Sequence, residues 1–232
     1  MPPEMLQHPD LEIIHATGLD GARQALGTVV VIDVLRSFSV SAYALAGGAR
    51  ECRLVPTTAE ARALAATTPG AVLCAEEGAL PVSGIPISNS PTQIRGTDLK
   101  GRILVQRSSA GTPVVAAVVQ KFIFAASLVV ARATMQACLL TKPTTLTLVA
   151  SADHPEDHAC ARYMEGIVRG TSVNLDELLE PLRRSDRYRR VARGEWPGFP
   201  PTDLELALAP DRFSFAMPVS RRPGYHSLTK LG

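Results

Sequence analysis

The residues best suited to chemistry are acids, arginines and hydroxyls that follow short apolar runs. The most informative case is residues 29–39, Val-Val-Val-Ile-Asp-Val-Leu-Arg-Ser-Phe-Ser, where Asp33 and Arg36 follow a β-branched run. A carboxylate there can hold a hard cation or act as a base, and a guanidinium can bind phosphate through two parallel hydrogen bonds. The alternative is a buried Asp–Arg pair that fastens a strand to the next helix, and the local sequence does not separate the two.

Polar side chains follow the later apolar runs in the same way: Glu76-Glu77, Arg107-Ser108-Ser109, Ser127 and Asp153-His154. Acids suit a divalent cation, whereas an arginine with a Ser-Ser-Ala-Gly-Thr turn at a helix start suits an oxyanion. The same turn is also typical of ordinary helix capping, and Glu76 and Glu77 are equally compatible with solvent. Taken together, the groups indicate phosphate chemistry.

Strands and helices alternate along the chain and would bring these groups together. The pattern predicts strands at 28–34, 50–55, 71–75, 102–106, 122–126 and 144–150, with helices at 38–47, 57–66, 113–120, 128–140 and 155–169. Such alternation is typical of a doubly wound, mostly parallel α/β sheet. Right-handed crossovers place the carboxyl ends of parallel strands at one edge, which predicts a single polar rim.

The remaining sequence predicts how the chain is divided. Residues 172–209 are charged and helical in pattern, and residues 213–222 predict an edge strand. We therefore expect an α/β core over 1–170 and a helical and edge-strand C-terminal segment over 171–232, packed on the same core.

Composition excludes several classes of protein. A net charge of +2 and the near absence of aromatics among the arginines of 183–193 argue against nucleic-acid binding and favour a solvated helix face. No apolar run reaches the length of a membrane span, and no secretory leader is recognisable. Four widely spaced cysteines predict buried thiols in a reducing, cytoplasmic setting: Cys52, Cys74, Cys138 and Cys160. Apolar helices with small side chains are compatible with a homodimer.

Familiar phosphate-binding motifs are missing from the sequence. There is no Gly-Lys-Ser/Thr loop and no Gly-x-Gly-x-x-Gly after the first predicted strand. Leu35 stands where a haloacid-dehalogenase-type phosphatase needs a second aspartate, so Asp33 does not fit that mechanism.

Several motifs in a fixed order carry a family resemblance: Asp33-Val-Leu-Arg36-Ser, Glu76 before a Gly-containing loop, Asn89-Ser90-Pro91, Arg107-Ser-Ser-Ala-Gly-Thr112 and Glu156-Asp157. In order and spacing, over about residues 25–170, the chain resembles the 2-phosphosulfolactate phosphatases of coenzyme M biosynthesis. The resemblance implies a three-layer α/β/α fold and a Mg²⁺-dependent phosphatase. Its substrate would be a small phosphorylated, sulfonated hydroxy acid.

The resemblance also suggests roles for individual residues. Mg²⁺ would be held by Asp33 and Glu76, with Asp157 or Asp153 completing or supporting the site. Arg36 and the hydroxyls of Ser108 and Ser109 would act on the phosphoryl group. Substrate would also contact Asn89, Ser90, Arg107 and the amides of Gly111 and Thr112, with Arg107 as the alternative partner of the carboxylate or sulfonate.

Two alternatives stay open at this stage. Ala110 stands where the family commonly carries Asn, and Glu77 stands where a basic residue is common. These departures motivate a non-catalytic protein that binds a phosphorylated metabolite, or a phosphatase for another phosphorylated acid. Direct attack by water and a covalent phospho-enzyme on Asp33 are likewise both open.

Overall fold

The computed structural model describes residue 8 and residues 10–232 of the chain. In this part, ten strands are β1 (Glu12–Thr17), β2 (Thr28–Ile32), β3 (Glu51–Leu54), β4 (Val72–Glu77), β5 (Leu80–Pro81), β6 (Ile103–Arg107), β7 (Ile123–Ala126), β8 (Thr145–Ala150), β9 (Met217–Arg222) and β10 (Tyr225–Leu228). The helices are α1 (Gly18–Gln24), α2 (Ser37–Ala46), α3 (Thr58–Thr67), α4 (Pro91–Arg95), α5 (Gly111–Ala117), α6 (Ala131–Leu140), α7 (Pro155–Arg169), α8 (Leu175–Arg183), α9 (Asp186–Ala192) and α10 (Thr202–Ala207).

The strands form one mostly parallel sheet in the order β1-β8-β2-β7-β9-β10-β3-β6-β4-β5. Two parallel blocks, β1-β8-β2-β7 and β3-β6-β4, flank an antiparallel hairpin made by β9 and β10. Strand β9 pairs with β7 through Met217 and Pro218 and with β10 through its last four residues. Together with its helices, the sheet gives the predicted α/β fold of three-layer α/β/α type.

Most predicted elements are confirmed. The helix predicted at 155–169 is α7, and the predicted capping box before α3 is present, with Thr57 and Glu60 bonded to each other's backbone. The first strand and helix, β1 and α1, were not predicted, because β1 is partly exposed along its length and lacks a buried apolar run. The edge strand predicted at 213–222 is wrong in position: β9 and β10 lie inside the sheet.

The core is continuous across the sheet and its covering helices. All five residues of β2 are buried, as expected for a central parallel strand, and α2 is buried along nearly its whole length. Each fully buried Val or Ile side chain contributes roughly 1.5–3 kcal/mol relative to exposure. The polar groups that follow β2 are therefore held on a rigid base.

The C-terminal segment packs on this same core. Leu179 of α8 and Met217 of β9 are buried within the main apolar cluster. Tyr43 of α2 donates a hydrogen bond from its hydroxyl to the Leu206 carbonyl at 3.0 Å, and its ring meets Phe213 edge to face. The boundary near residue 170 stays a prediction. None of the described helices has the length and apolar character needed to cross a bilayer.

The predicted buried thiols are confirmed. All four cysteines are buried and unbridged, and burial raises the pKa of each thiol, that of Cys74 to about 12. They serve as small core residues rather than as nucleophiles.

Candidate active site

One cleft of about 230 Å³ collects polar groups from the carboxyl ends of β2, β4, β6 and β8. Five residues predicted from the sequence line it: Asp33, Arg36, Glu76, Asn89 and Ser109. Five others that matter to its chemistry line it as well: Ser151, His154, Arg187, Trp196 and Phe199. Both parallel blocks thus contribute to one cleft, and part of the predicted rim lines it.

Asp33 is fixed on three sides. Its Oδ1 accepts a hydrogen bond from the Ser37 amide at 3.0 Å, and its own amide donates to the Ala126 carbonyl of β7 at 3.1 Å. Gly111, the first residue of α5, approaches the other oxygen so closely that a Cβ there would lie 2.7 Å from Asp33 Oδ2. The carboxylate is 5% exposed and lines the cleft, which places a nearly dry acid against the ligand space.

Glu76 joins the end of β4 to the turn after β6. Its Oε2 accepts hydrogen bonds from the Ala79 amide at 2.6 Å and from Ser109 Oγ at 3.0 Å, while Oε1 accepts one from the Ser109 amide. The carboxylate is 5% exposed. These contacts orient a second buried acid toward the cleft that holds Asp33.

Arg36 lines the cleft but is tied from behind by the C-terminal segment. Its Nη1 donates to Asp203 Oδ2 at 3.0 Å and to the Gly198 carbonyl at 2.6 Å, and its guanidinium stacks 3.8 Å from the Phe199 ring centroid. The ion pair considered from the sequence, between Asp33 and Arg36, is not formed; Asp203 takes that position. Burial lowers the pKa of Arg36, and the charge of Asp203 opposes this.

Asn89 is set in a left-handed backbone conformation, with φ of 61°, which Asn tolerates better than most residues. Its Oδ1 accepts a hydrogen bond from Gln106 Nε2 at 2.8 Å. Gln106 also bonds the Ser37 carbonyl and Ser41 Oγ of α2, so β6, α2 and the loop before α4 are joined behind Asn89. This network holds that wall of the cleft in place.

Six other predicted residues lie behind the cleft lining rather than in it: Ser90, Arg107, Ser108, Gly111, Thr112 and Asp157. Ser108 Oγ accepts a hydrogen bond from the Thr112 amide, and Thr112 Oγ1 accepts one from the Ser108 amide, each at 3.1 Å. Within the turn, Ser108 and Thr112 therefore act as capping residues at the start of α5, as the capping alternative predicts. Ser109 and Ala110 line the cleft instead.

Three of the six support residues of the cleft, Arg107 and Asp157 by direct hydrogen bonds and Ser90 through Asp203, the partner of Arg36. Ser90 donates to Asp203 Oδ1 at 2.7 Å, and Arg107 donates to the Glu76 carbonyl and to Ser109 Oγ. Asp157 accepts hydrogen bonds from the Val34 amide at 2.8 Å and from Ser151 Oγ at 3.1 Å.

The two weaker acid candidates are exposed and paired elsewhere. Glu77 accepts a hydrogen bond from Thr58 Oγ1, and Asp153 pairs with His158 at 2.8 Å with its side chain 94% exposed. Neither lines the cleft.

Burial controls the protonation of the acids. Burial raises the pKa of Asp33 from its ordinary 3.8 to about 6. The hydrogen bond from the Ser37 amide opposes this rise, and the negative charge of Glu76 adds to it. Burial and the negative charge of Asp33 raise the pKa of Asp157 well above its ordinary value.

Two side chains that carry ring or guanidinium nitrogens, those of His154 and Arg187, line the same cleft. Burial lowers the pKa of His154 to about 4, with the charge of Arg187 acting in the same direction, so the imidazole is neutral at physiological pH. Arg187 of α9 forms an ion pair with the fully buried Glu156. The other carboxylate oxygen of Glu156 is one of two buried side-chain oxygens without a partner among the described residues, and Ser127 Oγ is the second.

The donor set of the cleft suits a hard divalent cation. No group of three His, Cys, Asp or Glu side chains converges within residue 8 and residues 10–232. Mg²⁺, however, keeps several waters and needs only one or two carboxylates, which Asp33 and Glu76 offer from the same cleft. Their oxygen chemistry and the raised pKa of Asp33 fit such an ion.

Comparison with known proteins identifies the family. The family model for 2-phosphosulpholactate phosphatase matches residues 15–188 of this chain. The chain belongs to this family. The resemblance found in the sequence motifs is therefore confirmed.

Individual proteins with the name of this family are also similar in sequence to the chain. A protein of Bacillus subtilis (strain 168), named probable 2-phosphosulfolactate phosphatase, is 34% identical over 199 residues, which are 83% of this chain and 86% of the relative. A protein of Carboxydothermus hydrogenoformans with the same name is 34% identical over 140 residues, covering 59% and 58%. One from Deinococcus radiodurans, also of that name, is 37% identical over 83 residues, covering 36% and 35%.

Five residues that line or support the cleft of this family member have no role in the sequence-based prediction: Ser151, Arg187, Trp196, Phe199 and Asp203. Arg187 was assigned to a solvated helix face, which is wrong because its side chain lines the cleft. A usable signal existed for Trp196, the only tryptophan of the chain, in the segment Gly194-Glu-Trp-Pro-Gly-Phe-Pro-Pro201 of a protein otherwise poor in aromatics. Trp196 Nε1 donates to the Ala79 carbonyl at 3.1 Å, which closes this segment over the cleft beside Glu76.

Proposed function

We propose that this protein is a Mg²⁺-dependent phosphatase that hydrolyses 2-phosphosulfolactate to sulfolactate and phosphate. The observation that carries the proposal is one cleft holding two buried carboxylates, Asp33 and Glu76, and two guanidinium groups, Arg36 and Arg187. Acids for a cation next to arginines for anions are the groups that hydrolysis of a phosphate ester requires. Family membership and the names of the relatives support the reaction and the substrate.

Asp33 and Glu76 are the residues that would hold Mg²⁺. When bound, the ion polarises the phosphoryl group and neutralises its developing charge. The protein's part is to keep the two carboxylates in place, which the Ser37 amide does for Asp33 and the Ala79 and Ser109 amides do for Glu76.

The phosphoryl group would lie between these acids and Arg36. The bonds of Arg36 to Asp203 and Gly198 and its stacking on Phe199 fix the guanidinium before substrate arrives. Such fixed donors stabilise transition-state charge without reorganisation, and phosphoryl transfer depends mainly on this positioning. Asn89 and Ser109 border the same space and supply further polar contacts.

The deciding experiment measures phosphate release from 2-phosphosulfolactate with Mg²⁺ and with EDTA, for the wild type and for Asp33→Asn. We expect release that needs the metal and falls at least 1,000-fold in the variant, roughly 4 kcal/mol of transition-state stabilisation. Asp211→Asn is the comparison and should release phosphate as wild type does, because Asp211 is a partly buried acid that pairs with Arg132 and does not line the cleft.

The open alternatives predict different results. Binding of the phosphate ester with no release by folded wild type would contradict the proposed activity and favour the non-catalytic protein. Release from other phosphorylated acids but not from 2-phosphosulfolactate would leave a phosphatase of different specificity. Release that is insensitive to EDTA would overturn the magnesium requirement.

A further inference from the structure

One arginine of the cleft, Arg187, has no assigned substrate group in the proposed reaction. Among the described residues that line the cleft, the arginines are Arg36 and Arg187. Arg36 is bonded to Asp203 and stacks on Phe199. Arg187 belongs to α9 and lines the same cleft, as do His154 and Ser151.

The proposed substrate needs more than one cation. Besides the transferred phosphoryl group, 2-phosphosulfolactate carries a carboxylate and a sulfonate, and both stay on the product. Arg107 was the sequence-based alternative for these groups, but its Nη1 donates to the Glu76 carbonyl and Ser109 Oγ, and it does not line the cleft. Among the described residues of the cleft lining, Arg187 is the arginine left for a non-transferred acid group.

Arg187 has the geometry for this contact. Its side chain is 23% exposed, enough for a guanidinium edge to face a ligand, while the ion pair with fully buried Glu156 anchors it from behind. A planar guanidinium pairs well with the coplanar oxygens of a carboxylate and with two oxygens of a sulfonate. The second carboxylate oxygen of Glu156 is buried and has no hydrogen-bond partner among the described residues. The hydrogen bonding of the Arg187–Glu156 pair is therefore not completed by the protein alone.

We propose that Arg187 binds a non-transferred acid group of the substrate, sulfonate or carboxylate, and thereby determines specificity. Glu156 is its positioning residue. This inference rests on the proposed function, and it assigns a substrate contact to an arginine-rich segment that the sequence alone indicated to be solvated.

The test deletes each partner in turn. The kcat/KM for phosphate release is measured on 2-phosphosulfolactate, on 2-phospholactate, which lacks the sulfonate, and on phosphorylated 2-hydroxyethanesulfonate, which lacks the carboxylate. In Arg187→Gln, we expect kcat/KM to fall roughly 100-fold more for substrates that carry the contacted group than for the one that lacks it. A selective loss on the sulfonated pair assigns the sulfonate, and a selective loss on the carboxylated pair assigns the carboxylate. An equal loss on all three overturns the inference.

Folding is controlled with further variants. Arg187→Gln leaves Glu156 as an unpaired buried charge, so Arg187→Gln combined with Glu156→Gln tests the same contact without that charge. Glu156→Gln alone should raise KM on the full substrate more than it lowers kcat, as expected when only the orientation of Arg187 is lost. Arg189→Gln, an exposed arginine on the same helix, should behave as wild type on every substrate.

Failure of the proposed function is recognised separately. If wild type releases no phosphate from any of the three compounds, the reaction is overturned, and titration calorimetry with sulfolactate and lactate then tests the contact alone. Binding of sulfolactate or lactate by wild type that weakens at least tenfold in Arg187→Gln, but not in Arg189→Gln, keeps the inference. Equal binding by both variants, or no binding by wild type, overturns it.

Discussion

Asp203 and Arg36 form a buried ion pair, with 3.0 Å between Oδ2 and Nη1, although 167 positions separate them in the chain. The second carboxylate oxygen of Asp203 accepts hydrogen bonds from Ser90 Oγ at 2.7 Å and from the Thr92 amide at 2.9 Å. One side chain of α10 therefore connects the helix that begins after β2, the loop before α4 and the C-terminal segment. The orientation of a cleft arginine depends on residues outside the first 170.

Asp203→Asn should be strongly destabilising, because it leaves the Arg36 guanidinium buried without a counter-charge. We expect a loss of about 3–5 kcal/mol in the free energy of unfolding, measured by urea denaturation, with a lower kcat/KM in the folded fraction. Asp176→Asn is the control, since Asp176 pairs with Arg183 at 2.6 Å while 83% exposed and should contribute at most about 1 kcal/mol. Equal losses in the two variants would contradict a special role for the buried pair.

Gly111→Ala should disturb the site rather than only the helix that it begins. The added Cβ would lie 2.7 Å from Asp33 Oδ2 and 3.0 Å from Ser37 Oγ, so the carboxylate or α5 must shift. We expect about 1–3 kcal/mol of destabilisation and a loss of phosphatase activity larger than the stability change explains. Gly96→Ala, where the nearest atom to the new Cβ is 3.6 Å away, should leave both stability and activity near wild type.

The neighbouring serines 108 and 109 should separate capping from ligand chemistry. Ser108→Ala removes the acceptor of the Thr112 amide and should cost about 1 kcal/mol of stability with a small effect on kcat/KM. Ser109→Ala removes the hydroxyl bonded to Glu76 and to the Gly78 amide inside the cleft, and we expect kcat/KM to fall roughly 10- to 100-fold. Thermal unfolding and phosphate release on both variants check this order, and the reverse order would refute it.

Stability and metal binding should depend on pH through Asp33. Its pKa of about 6 in the folded protein exceeds the 3.8 of an unperturbed Asp, so the folded state binds more protons between pH 4 and 6. Without divalent cations, the contribution of Asp33 to the free energy of unfolding should fall as pH rises through that window, and Asp157 contributes in the same direction. His154, whose pKa of about 4 lies below its ordinary 6.5, contributes in the opposite direction over nearly the same window, so the Asp33 contribution is obtained from the difference between wild type and Asp33→Asn.

Differential scanning calorimetry across pH tests this behaviour. The stability of Asp33→Asn relative to metal-free wild type should increase between pH 4 and 6, and the variant should be the more stable of the two at pH 7. Added Mg²⁺ should raise the Tm of wild type at pH 7 more than at pH 5, because protons compete for Asp33 below its pKa, and should leave Asp33→Asn nearly unchanged. A Tm of wild type that responds equally to Mg²⁺ at both pH values would contradict Asp33 as a ligand.

The sequence by itself determined most of the elements and two acids of the cleft, Asp33 and Glu76. The buried run of β2, the capping box of α3 and the helix from Pro155 to Arg169 are local patterns, which short-range propensities and hydrophobic periodicity specify. Because parallel strands end at a common edge, the positions of Asp33 and Glu76 at strand ends were enough to predict a shared rim.

Tertiary structure decided which groups face the ligand space and what holds them there. Nothing local distinguishes Ser108, whose side chain caps a helix, from Ser109, whose side chain lines the cleft. Long-range contacts decide three further features: the place of β9 and β10 inside the sheet, the partner of Arg36 and the inward position of Arg187. These contacts join residues more than 100 positions apart or separate elements. Such contacts follow from the packing of the C-terminal segment on the core, which no periodicity within that segment encodes.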